Sequence, residues 1–162
     1  AVVNKKGASR SDYTRSETDN ALVQGVMMDE DALGYFGFAY FSANQASLRA
    51  LAIDDEKAEN GVGPIAPSVE SITNHRYQPL SRPLFLYVAA EAAKRPAVER
   101  FVGFYLERSQ ELALAVGYVA LPATVAGLVQ ERWSLRTIGS SFYGRDAVGV
   151  GVERVLREGG PQ

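Results

Sequence analysis

Leu84-Phe85-Leu86-Tyr87-Val88 is the stretch whose reading decides the fold. Five large apolar or aromatic residues in succession leave no polar face, so both sides of the segment need cover, as in a central strand of a layered sheet. Ahead of it, Tyr77-Gln78-Pro79-Leu80-Ser81-Arg82-Pro83 reads as a stiff, extended lead, because each proline fixes its own φ and restricts its predecessor. Behind it, Pro96 suits the first position of a helix in which Val98, Phe101, Val102, Tyr105 and Leu106 recur at spacings of three and four. That pattern continues through Leu112, Ala113 and Val116, with a break near Ser109 and an end at Gly117. A second helix starting near Pro122 places Val125, Leu128, Val129 and Trp133 on one stripe, and a last helical turn falls at Val152 to Leu156.

Working toward the N-terminus, Ser68-Val69-Glu70-Ser71-Ile72 reads as a short helix with Ser68 as its N-cap. Leu48 to Ile53 alternates like a half-buried strand before Asp54-Asp55-Glu56-Lys57 breaks it. Ala32 to Phe41 carries five aromatics and two glycines, which suits a buried strand running into a short helix, with glycine permitting close backbone approach. Ser16 to Val26 reads as a helix opened by a Ser16/Asp19 capping signal. Strands alternating with helices predict an α/β layered fold with a substantially parallel sheet. Three strands are few for such a sheet, and the shortfall suggests that part of the fold lies outside these 162 residues.

Composition narrows the function. With 46% hydrophobic and 22% charged residues the chain is ordinary globular protein, one compact unit by default. A net charge of −2 argues against a nucleic-acid partner held by phosphate neutralisation. The absence of cysteine excludes disulfides, thiolate metal sites and cysteine nucleophiles. No apolar run of membrane-spanning length and no signal-peptide pattern is present, while a start at Ala1 without methionine points to a processed or truncated N-terminus.

Catalytic chemistry finds little support. His75 is the lone histidine, sits in a polar turn and has no G-x-S-x-G elbow to serve, so a hydrolase triad is disfavoured. The clusters Asp29-Glu30-Asp31 and Asp54-Asp55-Glu56 lack the alternating spacing of a calcium loop and read as solvated turns. Gly61-x-Gly63 and Gly149-x-Gly151 are turn chemistry, since Arg154 stands where a dinucleotide loop needs its third glycine. Gly7-Ala8-Ser9-Arg10-Ser11-Asp12 gathers small residues, hydroxyls and a guanidinium in the manner of an oxyanion nest, though a polar surface turn is the better reading. Ser81-Arg82 is a similar anion candidate, against which stands a partly buried arginine that pairs with a carboxylate or stacks on Tyr77. The aromatics of 35–41 pack as core, with the Tyr35 hydroxyl free to face a cleft.

In order along the chain, Gly7-Ala8-Ser9-Arg10-Ser11-Asp12-Tyr13-Thr14, Leu22-Val23-Gln24-Gly25-Val26, Ala32-Leu33-Gly34-Tyr35-Phe36-Gly37-Phe38-Ala39-Tyr40, Ala66-Pro67-Ser68-Val69-Glu70 and Pro79-Leu80-Ser81-Arg82-Pro83-Leu84 closely resemble the PstS family of phosphate-binding proteins. The resemblance runs from about Gly7 to Phe142. It implies a bilobal periplasmic-binding-protein fold of type II, here incomplete: residues 1–80 mainly a second-lobe segment, 81–162 the strand and helices returning toward the first lobe, with a C-terminal tail. It implies a non-enzymatic protein that captures inorganic phosphate, without cofactor or metal, for an ABC permease. It also implies a periplasmic or otherwise extracytoplasmic setting, with membrane anchoring through a missing N-terminus.

The family's Arg…Ser-Gly-Thr phosphate loop has no counterpart in this sequence. Ser9, Arg10 and Tyr35 therefore stand only as candidates for proximity to the cleft. Exposed sheet edges and core faces are expected to be covered by the missing N-terminal half of the same protein or by a second copy. The alternative from a different class is a non-catalytic interaction or structural subunit that no longer binds phosphate by itself.

Overall fold

The computed structural model describes residues 10–144 and 149–159. Their regular structure is helical: α1 Asp19–Met27, α2 Phe38–Ala43, α3 Val69–Thr73, α4 Ala90–Ala93, α5 Pro96–Glu107, α6 Ser109–Ala115, α7 Ala123–Ser134 and α8 Val152–Glu158, with a 3-10 turn at Ala58–Asn60.

The organising unit is α7 packed between α5 and α8. Val125 and Ala126 of α7 are buried, as are Val102 of α5 and Val155 of α8. Polar ties run along the same seams. Gln130 donates through Nε2 to the Leu106 carbonyl at 3.3 Å, and Thr124 Oγ1 lies 3.3 Å from Glu153 Oε2. Arg136, stacked 4.1 Å over the Trp133 ring, also pairs with Glu99 of α5. A smaller contact joins α1 to α2 and buries Val23.

Local signals set the helix ends. Pro96 opens α5, and Ser68 caps α3 through a reciprocal box with Ser71: each side chain accepts from the other's backbone N–H, at 3.0 and 2.9 Å. The break near Ser109 is present, with Arg108 outside helical geometry (φ −96, ψ 6) and the Ser109 hydroxyl donating to the Leu106 carbonyl at 2.8 Å. At the end of α6, Gly117 takes φ +79 and the Tyr118 N–H reaches back to the Ala113 carbonyl at 2.9 Å, the closure that a left-handed residue permits. Gly34 is the close approach expected of the aromatic stretch: a Cβ there would run into Val26 Cγ2 of α1.

Three readings need correction. The first helix begins at Asp19 with Thr18 at its cap, because the Ser16 hydroxyl accepts from the Thr18 N–H at 3.0 Å and thereby closes a turn ahead of the helix. Residues 77–83 are not extended throughout; the Gln78-Pro79 bond is cis and a turn closes from the Ser81 N–H to the Tyr77 carbonyl at 3.3 Å. The expected parallel sheet is not assembled among the described residues. Ile53 and Ile65 form an isolated antiparallel bridge, while the segments 33–36, 48–52 and 82–88 make no backbone hydrogen bond among the described residues. The reason is physical: a helix closes its backbone bonds internally, whereas a strand's N–H and C=O groups need a neighbouring strand.

Candidate functional site

The unpaired segments converge on one large cleft. Leu33 to Phe38, Leu48 to Leu51 and Leu80 to Ala90 line it, together with α5, α6 and α7 and residues 137–142. Its volume is about 2610 Å³, whereas small-molecule pockets run to roughly 300–1,000 Å³. The lining is mostly apolar. Phe85 meets Phe142 edge to face with ring centroids 5.1 Å apart and leans on Tyr87 at 6.1 Å. Yet Leu84 is 73% exposed and Tyr87 80%, so the run that reads as the most buried strand of the chain is bare.

Polar groups punctuate this wall. Tyr35, 63% exposed, and Tyr77 both line it. Burial raises the Tyr77 hydroxyl above its ordinary value, and the nearby Tyr35 adds to the rise, so the Tyr77 phenol stays a neutral donor at physiological pH. The hydroxyls of Ser81 and Ser141 are buried in the same wall without a hydrogen-bond partner. Among the described residues, the guanidinium groups of Arg49 and Arg82 make no hydrogen bond or ion pair, while Arg132 donates to the Gly139 carbonyl at 2.8 Å.

Of the sequence candidates, Tyr35 is in the cleft wall, Arg10 is not, and Ser9 lies outside the described residues. Arg10 is exposed and forks onto Asp12, with Nε 2.8 Å from Oδ1. Each holds the other charged: Asp12 raises the guanidinium's pKa and Arg10 lowers the carboxylate's. An oxyanion at this nest would therefore compete with Asp12. His75 takes φ +61 in the turn after α3 and sits against Gly151, whose Cβ position is 3.3 Å from the imidazole Cδ2. The acidic clusters serve their own turns: Asp29 accepts from the Asp31 N–H at 3.0 Å and Asp54 from the Glu56 N–H at 2.8 Å. No group of three histidine or acidic side chains comes together as a metal site among the described residues. No helix among them is long and apolar enough to cross a membrane.

No protein-family model matches the chain. Individual proteins do. The chain is 42% identical over 160 residues to protein SphX of Synechococcus elongatus, covering 99% of this chain and 46% of that one. It is 36% identical over 104 residues to the phosphate-binding protein PstS of Staphylococcus haemolyticus, covering 64% of this chain and 31% of the relative. A crystal structure of a possible phosphate binding protein from Planctomyces limnophilus superposes with a TM-score of 0.64 at 40% identity, over 84% of this chain and 48% of that one.

The chain is thus similar to SphX and PstS proteins and to a solved possible phosphate binding protein. It spans about half the length of the SphX relatives it matches.

Sequence reasoning missed the orphaned hydroxyls of Ser81 and Ser141 and the place of Tyr77 in the same cleft wall as Tyr35. Ser81 carried a signal, standing beside Arg82 between two prolines. Ser141, in Ser140-Ser141-Phe142 after the last long helix, carried none.

Proposed function

We propose that this chain is the segment of a solute-binding protein that helps capture inorganic phosphate for an ABC-type importer in an extracytoplasmic compartment. The observation that carries the reading is the match over 99% of the chain to SphX, joined by the match to a phosphate-binding protein PstS. Residues 1–80 would contribute mainly to the second lobe of a type II bilobal fold, and 81–162 would return toward the first. The protein is non-enzymatic in this reading: it holds phosphate by hydrogen bonds and charge, and any unpaired donor buried in a dry site is costly enough to give selectivity. Ser9, Arg10 and Tyr35 are the candidates of this chain for a place near the ligand, and Tyr35 in the cleft wall supports that for one of them.

Isothermal calorimetry of phosphate tests the reading. The 162-residue chain alone is expected to show no heat of binding, because it has no Ser-Gly-Thr loop. The same chain complemented by the remaining half of a PstS-like protein is expected to bind at micromolar concentration or tighter. No binding by a well-formed complemented complex would refute the phosphate reading and favour the second one, a non-catalytic interaction or structural subunit. The bare apolar run Leu84–Val88 is the observation that keeps this second reading open.

A further inference from the structure

Ile53 and Ile65 exchange both backbone hydrogen bonds, at 2.9 and 2.8 Å, and so clasp the base of a loop whose tip is open, with Val62 91% exposed. Within that loop stands Asn60-Gly61. Gly61 takes φ +125, a conformation that side chains resist, so the turn itself calls for glycine after Asn60. The other asparagines among the described residues, Asn20, Asn44 and Asn74, precede alanine, glutamine and histidine, each with a Cβ crowding the main-chain nitrogen that follows the asparagine.

We propose that Asn60 is a site of spontaneous deamidation, with water as the co-reactant, and that its hydrogen bond to Asp55 sets the rate. The main-chain nitrogen of Gly61 attacks the side-chain carbon Cγ of Asn60. As the N–Cγ bond forms and closes a succinimide, the Cγ–Nδ2 bond breaks, and the amide nitrogen leaves as ammonia with the proton that Gly61 carried. Water then opens the succinimide at either carbonyl, which leaves a carboxylate at position 60 on a normal or an iso-aspartyl main chain. No group is oxidised or reduced. The absence of a Cβ on Gly61 is what leaves its nitrogen open to attack.

The folded loop holds this reaction back. Asn60 Nδ2 donates to Asp55 Oδ2, while Asp55 Oδ1 accepts from the Lys57 N–H at 3.2 Å, so the carboxylate is fixed at both oxygens. The Gly61 N–H is engaged as well, donated to the Ala58 carbonyl at 3.2 Å across the 3-10 turn. Turning Cγ toward the Gly61 nitrogen breaks the charge-assisted bond to Asp55, and a bond of that kind slows the opening by about tenfold or more. Once formed, the product cannot return to the same contact: a carboxylate at 60 has no proton to donate and meets Asp55 as a like charge. The Arg76 guanidinium stands beside Gly61 and is the cation placed to receive it. The modification therefore moves the loop's polar tie in one direction, from Asp55 toward Arg76.

The test is peptide mass spectrometry of the 162-residue chain aged in mildly alkaline buffer, with aspartyl and iso-aspartyl products counted at each asparagine. In urea, Asn60 is expected to convert ahead of Asn20, Asn44 and Asn74. In the folded chain its conversion is expected to be slower by about tenfold or more. Asp55→Ala removes the acceptor and is expected to recover most of that factor. Asp55→Asn keeps an oxygen that can accept from Nδ2 without the charge, and its rate is expected to fall between the two, with the helical circular dichroism of both variants unchanged. Another asparagine converting first in urea would overturn the site. Equal rates at Asn60 in the folded wild type, Asp55→Asn and Asp55→Ala chains would overturn the role of Asp55. Neither outcome depends on whether the chain binds phosphate.

Discussion

The unit built from α5, α7 and α8 and the three extended segments around the cleft obey the same hydrophobic rule with opposite results. In the helical unit, Val102, Val125 and Val155 are covered by one another's helices. In the extended segments, Leu33, Leu84 and Tyr87 are as apolar and largely bare. The difference lies in how each element satisfies its backbone. A helix needs only a partner for one stripe, and this chain supplies three helices that share one. A strand needs a neighbour for each edge before its faces can be packed at all, and among the described residues those edges are unpaired.

Paired substitutions sharpen the comparison. Val125→Ala, at a side chain 1% exposed, removes two methyl groups from the helical core and is expected to cost about 2 kcal/mol, lowering the midpoint of thermal unfolding by roughly 4–8 °C. Leu84→Ala deletes more carbon yet is expected to stay within about 0.5 kcal/mol in the chain alone, since it is already in water. Equal losses at the two positions would contradict the division between covered and bare regions.

A smaller effect belongs to the α3 cap. Ser68→Ala removes the acceptor for the Ser71 N–H and is expected to cost about 1 kcal/mol, read as a lower denaturant midpoint with an unchanged slope.

The smallest effect is electrostatic and sits on α8. Arg157, four residues on, holds the Glu153 carboxyl below its ordinary value of 4.5. A lowered carboxylate pKa adds stability that is full at neutral pH and is lost as pH falls through the folded value, so the contribution of this pair fades below about pH 4.5. Glu153→Gln is expected to flatten that part of the acid limb of an unfolding profile and to leave neutral stability nearly unchanged, because exposed pairs contribute little.

The same contrast explains what the sequence made legible. Helices announced themselves through local signals: Pro96 and the stripe through Val102, the Ser68 cap, the stop at Gly117. Each depends on residues within one or two turns. Helix α4 went unread because Ala90-Glu91-Ala92-Ala93 is too short to show a stripe. The strand pattern of Leu84–Val88 was equally visible, but pairing is a property of segments far apart, and no period in the sequence reports whether the neighbour is present. The site suffers most. Tyr35 and Tyr77 are 42 residues apart and come to line one wall only in the folded cleft, while the pairing of Arg10 with Asp12 is local and was open to inspection.

Residue-resolved hydrogen exchange of the 162-residue chain alone tests the central claim most directly, that its helices are packed against one another while the extended segments around the cleft are unpaired. The account predicts protected amides through α5 and α7, including Val102 and Val129, beside amides at Phe85, Leu86 and Tyr87 that exchange at the rate of unstructured peptide. Protection at Leu84–Val88 equal to that of α7, in a chain shown to be monomeric, would contradict it.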